Sequence, residues 1–264
     1  MHILFITDNF PPEVNAPATR TFEHAVEWQR DGCRVTILTT APNFPTGIVF
    51  KNYSNKVWQR EMIKGVEIIR VWSFISANRG FFLRILDYFS FMLTSIIASL
   101  FIKKIDVVIG TSPQFFTVCS AYIVSRLKKC KFIFELRDLW PESIKALNVL
   151  KEGIILTIFE KLELFLYKKA DIIISVTKSF KKQLINRGIN GSKIHIITNG
   201  VNIKKFQIKK KNLDILKKLK LNNSFVCGYI GTHGLAHGLE TILKTAEIFK
   251  KKKNNDFKFL FLGD

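Results

Sequence analysis

The sequence predicts an α/β protein: a doubly wound parallel sheet of Rossmann-like type, followed by the start of a second Rossmann-like domain. Three observations carry this. Strand and helix signals alternate from the first residues onward. The strands read as continuous apolar runs, as expected where both faces of a sheet are covered. Late in the chain a fresh strand, Phe225–Ile230, runs into the glycine-rich turn Gly231–Gly238 and a helix over Leu239–Lys253. That is the opening β–loop–α of a nucleotide-binding unit.

The elements follow in order. His2–Thr7 is an apolar strand. Arg20–Asp31 is helical, with Phe22, Ala25, Val26 and Gln29 on one face, and Gly32 ends it. Arg34–Thr39 is the second strand, and Val57–Trp72 a hairpin turning at Lys64-Gly65. An apolar helix spans Phe81–Ile102, followed by strands and helices at Asp106–Gly110, Phe116–Leu127, Phe132–Leu136, Gly153–Ala170, Ile172–Val176, Lys178–Arg187 and Ile194–Ile197. Asn199–Asn212 is polar, lysine-rich and aperiodic, and Asn212–Leu221 is a short helix. The expected domains are 1–200, a linker over 201–224, and an incomplete domain over 225–264 whose last strand is Phe257–Leu262. Two strands and one helix leave an open sheet edge and an uncovered face, so this stub is expected to be poorly ordered or aggregation-prone.

Composition narrows the function classes. The hydrophobic fraction of 47% excludes a disordered chain. The four cysteines, Cys33, Cys119, Cys130 and Cys227, are far apart and read as buried thiols of a reducing compartment. Met1–Thr7 enters a strand with no signal-peptide pattern. A formal charge of +20 is scattered as short lysine runs. Solvated surface explains it, and so does attraction to an anionic membrane. Nucleic acid is the poorest of the three readings, because no basic stretch is interleaved with aromatics. The uncharged stretch Tyr88–Ile102 is about 22 Å long as a helix, short of the roughly 20 apolar residues that a span needs. The helix is therefore expected in the core or at a membrane interface, flanked by Arg79, Arg84, Lys103 and Lys104.

The polar, proline-rich loops fall where ligands of such sheets bind, beyond the carboxyl ends of the strands. Asp8–Arg20 is stiffened by Pro11, Pro12 and Pro17, and Asn15 is placed to cap the first helix, whose N-terminus suits a phosphate. A capped connection without a ligand fits the same residues. Glu135–Ser143 puts Arg137, Asp138, Trp140 and Glu142 at a strand end. A tryptophan gives a flat face to a sugar or lipid, and carboxylates hold hydroxyls or a proton; ion pairing and packing account for them equally. Asn199-Gly200 is a tight turn. In Gly231–Gly238 the glycines allow close backbone approach to a phosphate, and His233 and His237 are potential donors. No metal-ligand spacing is present in the sequence.

Four motifs in order carry a resemblance: Phe10-Pro11-Pro12-Glu13; Arg137–Ser143; Asn199–Asn202 with Phe206; and Gly228–Gly231 with Gly238-Leu239-Glu240. Together they resemble the family 4 glycosyltransferases of the GT-B fold, in particular the subgroup that adds N-acetylated amino sugars such as L-fucosamine to O-antigen or capsule. The chain has Asn15-Ala16 where many members have paired glycines, Arg137-Asp138 where many have a histidine, and His233 and His237 where many have arginine and lysine.

The resemblance implies sugar transfer with retention from a nucleotide-diphosphate sugar, without a metal or other cofactor. It implies a polyprenyl-diphosphate-linked saccharide as acceptor, a peripheral place on the inner face of the cell membrane and no nucleic-acid partner. Arg137, Asp138 and Glu142 are then the expected catalytic residues. Asn15, Ala16, Gly231, His233 and Gly234 are expected at the donor diphosphate, and Trp140, Arg84, Lys103 and Lys104 at the acceptor or membrane. The family's paired-glutamate motif has no counterpart, so the chain alone is expected to transfer little or no sugar. A split enzyme or a non-catalytic acceptor- or membrane-binding module is the alternative.

Overall fold

The structure, a computed structural model, describes residues 1–76, 81–139, 153–222, 224–234, 237–252 and 256–263. Arg79, Trp140 and Glu142 lie outside the described residues. The chain forms two compact units, Met1–Asn199 and Gly200–Asp264.

The first unit is an eight-stranded sheet of order β3-β4-β2-β1-β5-β6-β7-β8. Its strands are β1 (His2–Ile6), β2 (Arg34–Thr40), β3 (Trp58–Ile63), β4 (Val66–Val71), β5 (Val107–Thr111), β6 (Lys131–Leu136), β7 (Ile172–Ser175) and β8 (Ile194–Ile196). All neighbours are parallel except β3 and β4. The predicted hairpin thus adds an antiparallel edge to the parallel sheet. Its turn uses positive φ at both Lys64 (48°) and Gly65 (82°), as a two-residue hairpin with matching twist requires.

Successive side chains of a strand point to opposite faces, and here both faces are covered. Leu4, Ile6, Leu38, Val108, Phe132 and Phe134 meet helices α2 (Phe81–Leu100), α3 (Phe115–Lys128) and α4 (Ile154–Lys169). Ile3, Phe5, Val35, Ile37 and Ile68 meet α1 (Ala16–Arg30). Burial on both sides is why these strands read as unbroken apolar runs. Helix α3 seats closely on β5: a Cβ at Gly110 would stand 2.6 Å from Ala121 Cβ.

Several expectations are corrected. Helix α1 begins at Ala16, not Arg20: Asn15 Oδ1 accepts from Ala18 N at 2.8 Å, and Pro17 is tolerated in the first turn, where its missing N–H is not needed. Of the four cysteines only Cys119 is buried, and burial pushes its thiol up to about 12. Asn199 and Gly200 are not in the left-handed region. The turn forms instead around Asn202, whose carbonyl accepts from Lys205 N and Phe206 N and whose side chain accepts from Lys204 N.

Helix α5 (Lys178–Asn186) lies between β7 and β8 in the chain. The second unit holds α6 (Leu213–Lys218), β9 (Phe225–Ile230), α7 (Leu239–Lys251) and β10 (Phe257–Leu262). Its two strands pair in parallel.

Candidate functional site

Strand β1 crosses through α1 to β2, whereas β4 crosses through α2 to β5 on the other side of β1. The strand order therefore reverses between β1 and β5. In open α/β sheets a ligand crevice lies beyond the carboxyl ends at that reversal. Here a crevice is lined by Asp8, Asn9, Glu13, Thr40, Asn43, Asp87, Tyr88 and Gln114, among others.

Local chemistry fixes each wall. Asn9 Oδ1 accepts from Asn15 Nδ2 at 2.5 Å, which clips the first loop to the cap of α1. The Asp8 carbonyl accepts from the hydroxyls of Thr39 and Thr40 at the end of β2. Glu13 is 3% exposed. Its Oε1 accepts from the backbone N–H of Asn43 at 2.8 Å and of Phe44 at 2.9 Å, and its Oε2 is buried with no hydrogen-bond partner. Ser112 Oγ accepts from Arg137 N at 2.9 Å and Asp138 N at 3.3 Å, pinning that turn beside β5. Among the described residues three cis X-Pro bonds, Pro11-Pro12, Phe44-Pro45 and Ser112-Pro113, all fall in these carboxyl-edge loops.

The crevice is acidic and proton-retaining. Burial pushes the Asp8 carboxyl above its ordinary value, against a hydrogen bond from Asn9 and the charge of Arg137. Burial likewise raises Glu13 against its backbone donors. Asp87 is raised to about 7 by burial and then by the Asp8 charge. Tyr88 is raised by the same two causes. Carboxyls, amides and a phenol set around one cleft suit the hydroxyls of a sugar better than an anion. Among the described residues no group of three or more His, Cys, Asp and Glu side chains is placed to hold a metal ion.

Among the predicted residues, Asn15, Ala16, Arg137 and Asp138 all stand at the carboxyl edge of the first unit. Arg84 joins them, its Nη2 3.3 Å from Tyr88 Oη. Lys103 and Lys104 do not. Their carbonyls face His2 Nδ1 at the amino edge, at the far end of a helix about 30 Å long. Gly231, His233 and Gly234 belong to the second unit. Gly231 has φ +154°, and the His233 ring lies 5.9 Å from Tyr229 and 6.2 Å from Phe261. Sequence reading missed Glu13 and Asp87 as site residues. Asp87 and Arg84 did leave a signal: two charges inside an otherwise apolar helix.

The comparisons with known proteins agree with this geometry. The profile of Glycosyltransferase Family 4 matches residues 18–205. The capsular polysaccharide biosynthesis glycosyltransferase CapM of Staphylococcus aureus is 27% identical over 136 residues, which is 50% of this chain and 34% of that relative. The chain thus matches about a third of that relative's length. Sucrose-phosphate synthase from Thermosynechococcus elongatus superposes with a TM-score of 0.69 at 14% identity, covering 99% of this chain and 62% of that one. Anabaena HepE, solved with UDP and glucose, gives 0.60 at 13% identity, covering 100% of this chain and 70% of that one. With the profile matching residues 18–205, well over half of its length, the chain belongs to glycosyltransferase family 4.

Proposed function

We propose that the chain serves a retaining glycosyltransferase. It moves a sugar, an N-acetylated amino sugar by its motifs, from a nucleotide-diphosphate donor to a lipid-linked saccharide in cell-surface polysaccharide synthesis. The observation that carries this reading is the acidic crevice at the strand-order reversal, with the unpaired Glu13 Oε2 as a ready acceptor for a sugar hydroxyl. The capsule relative CapM and the UDP and glucose in HepE support it. On this reading the acceptor sugar occupies the crevice of the first unit. No metal is required, because retention needs only a stabilised leaving diphosphate and an acceptor hydroxyl held on the same face.

Transfer is measured with labelled nucleotide N-acetylhexosamines and a polyprenyl-diphosphate saccharide, with the chain alone and with a family 4 C-terminal half supplied in trans. Product of retained anomeric configuration in either arrangement is the expected outcome. No transfer in both arrangements, or an inverted product, sinks the reading.

A second reading is favoured by α2. Phe82, Leu86, Phe89, Leu93, Ile97 and Leu100 are exposed and recur at helical spacing, forming one outward apolar stripe. We infer a peripheral contact of this stripe, with Arg84 at one end and Lys103 and Lys104 at the other, with the anionic cytoplasmic leaflet. Anionic vesicles should bind the chain more tightly than neutral ones. Equal binding removes the electrostatic part, and no binding to either removes the contact.

A further inference from the structure

Beside the crevice, on the α1 side of the sheet, one guanidinium pairs with a carboxylate and a second stands near enough to feel its charge. Arg20, in the second turn of α1, places Nη1 2.7 Å from Glu135 Oε1 of β6, with its side chain 11% exposed. Its other donor nitrogens, Nε and Nη2, are buried and have no hydrogen-bond partner, and neither has Glu135 Oε2. The pair therefore forgoes the two parallel bonds that arginine and carboxylate can make. Arg137 follows Glu135 by two residues and is close enough for Glu135, Arg20, Asp138 and Asp8 to act on its charge. Burial lowers its affinity for the proton and Arg20 adds to that, while Glu135 opposes them. His24, one turn along α1 from Arg20, is lowered by burial and then by Arg20.

Nε and Nη2 of Arg20 are thus left over as charged donors, with Arg137 close by. Buried, charged donors without a partner are among the costliest omissions in a protein interior. An incoming anion supplies the missing acceptors, and the planar guanidinium fork matches phosphoryl oxygens.

We propose that Arg20 and Arg137 form a diphosphate-binding site on the N-terminal unit, with Nε and Nη2 of Arg20 donating to the phosphoryl oxygens. The inference deepens the transferase reading and rests on it for the substrate, because donor and lipid-linked acceptor both carry a diphosphate.

Isothermal calorimetry on the 264-residue chain with inorganic pyrophosphate, uridine diphosphate and farnesyl diphosphate tests it. Pyrophosphate is expected to bind saturably, and Arg20→Gln to weaken it by about tenfold or more, as the loss of charge-assisted donors implies. Glu135→Gln removes the competing carboxylate and should tighten pyrophosphate binding; a merely structural ion pair predicts lost stability and no gain in affinity. If Arg20→Gln does not fold, Arg20→Lys and Glu135→Gln carry the test. Preference for uridine diphosphate assigns the site to the donor, preference for farnesyl diphosphate assigns it to the lipid, and parity means that the diphosphate alone is read. Absence of saturable pyrophosphate binding, or binding indifferent to both Arg20→Gln and Glu135→Gln, overturns the proposal. Pyrophosphate binding without sugar transfer sinks the transferase reading and leaves the site standing.

Discussion

At Asp87, burial and then the Asp8 charge push the carboxyl up to about 7, while Ser73 and Arg84 act against them. An unfolded aspartate titrates near about 4. The folded state holds this proton more tightly, so the group stabilises the fold at low pH. That contribution is lost as pH rises from about 4 through about 7. Asp87→Asn should therefore melt above the wild type at pH 8, with the gap closing at pH 5; a gap independent of pH removes the argument. Arg70 is a second test. It is 2% exposed, and it bonds Glu61 Oε1 at 2.7 Å, the Thr40 carbonyl at 2.9 Å and the Pro11 carbonyl at 2.5 Å. It thereby ties the first loop to β2 and β4. Arg70→Met leaves those acceptors unpaired and should cost about 3–5 kcal/mol in urea unfolding; a loss below about 1 kcal/mol would mean that water replaces it. These residues also mark how far the sequence could be read. The Asn15 cap was legible because it acts three residues away. Glu13 was not, because its partners Asn43 and Phe44 lie thirty residues on, and Arg20 was not, because Glu135 reaches it only through the fold.

Helix α2 is apolar all round in sequence, so composition alone left its two sides undistinguished. The structure separates them. The inner side carries Phe91 with the small residues Ser95, Ala98 and Ser99, and Ser95 Oγ meets Ser120 Oγ of α3 at 2.7 Å. The larger apolar side chains face outward. Small residues within and bulky ones without is the reverse of an ordinary core helix. Ser95→Leu should overpack the α2–α3 contact and cost about 1–3 kcal/mol. The pair Leu93→Gln and Ile97→Gln should leave stability within about 0.5 kcal/mol per site and lower binding to anionic vesicles. Comparable destabilisation by both sets would place the outer stripe in a packed interface. The strands were legible for the opposite reason: with helices on both faces of the sheet, nearly every residue is apolar whichever way it points. The start of α1 was misread because Pro17 looks like a break, yet a first helical turn tolerates it.

The two units differ in how completely they close. In the first, β1, β4 and β5 are buried along their whole lengths. In the second, neither strand nor α7 has a buried residue, and Phe225, Ile230, Leu243, Ile248 and Leu262 are exposed. Among the described residues the unit has two strands, below the three or more that usually give a sheet independent stability. Near the start of the second unit runs the lysine-rich stretch that contains Lys209, Lys210 and Lys211, all exposed. Amide exchange should consequently be slow in β1, β2, β5 and β6 and fast in β9 and β10. Brief trypsin treatment should cut first at Lys209–Lys211 and leave a resistant fragment that contains the first unit. If the second unit takes the nucleotide sugar, it should gain protection on binding, since a ligand stabilises only the state that holds it. Equal protection of β9 and β1 in the free chain would show that the second unit covers its apolar faces in solution, and the claim of unequal closure would fail.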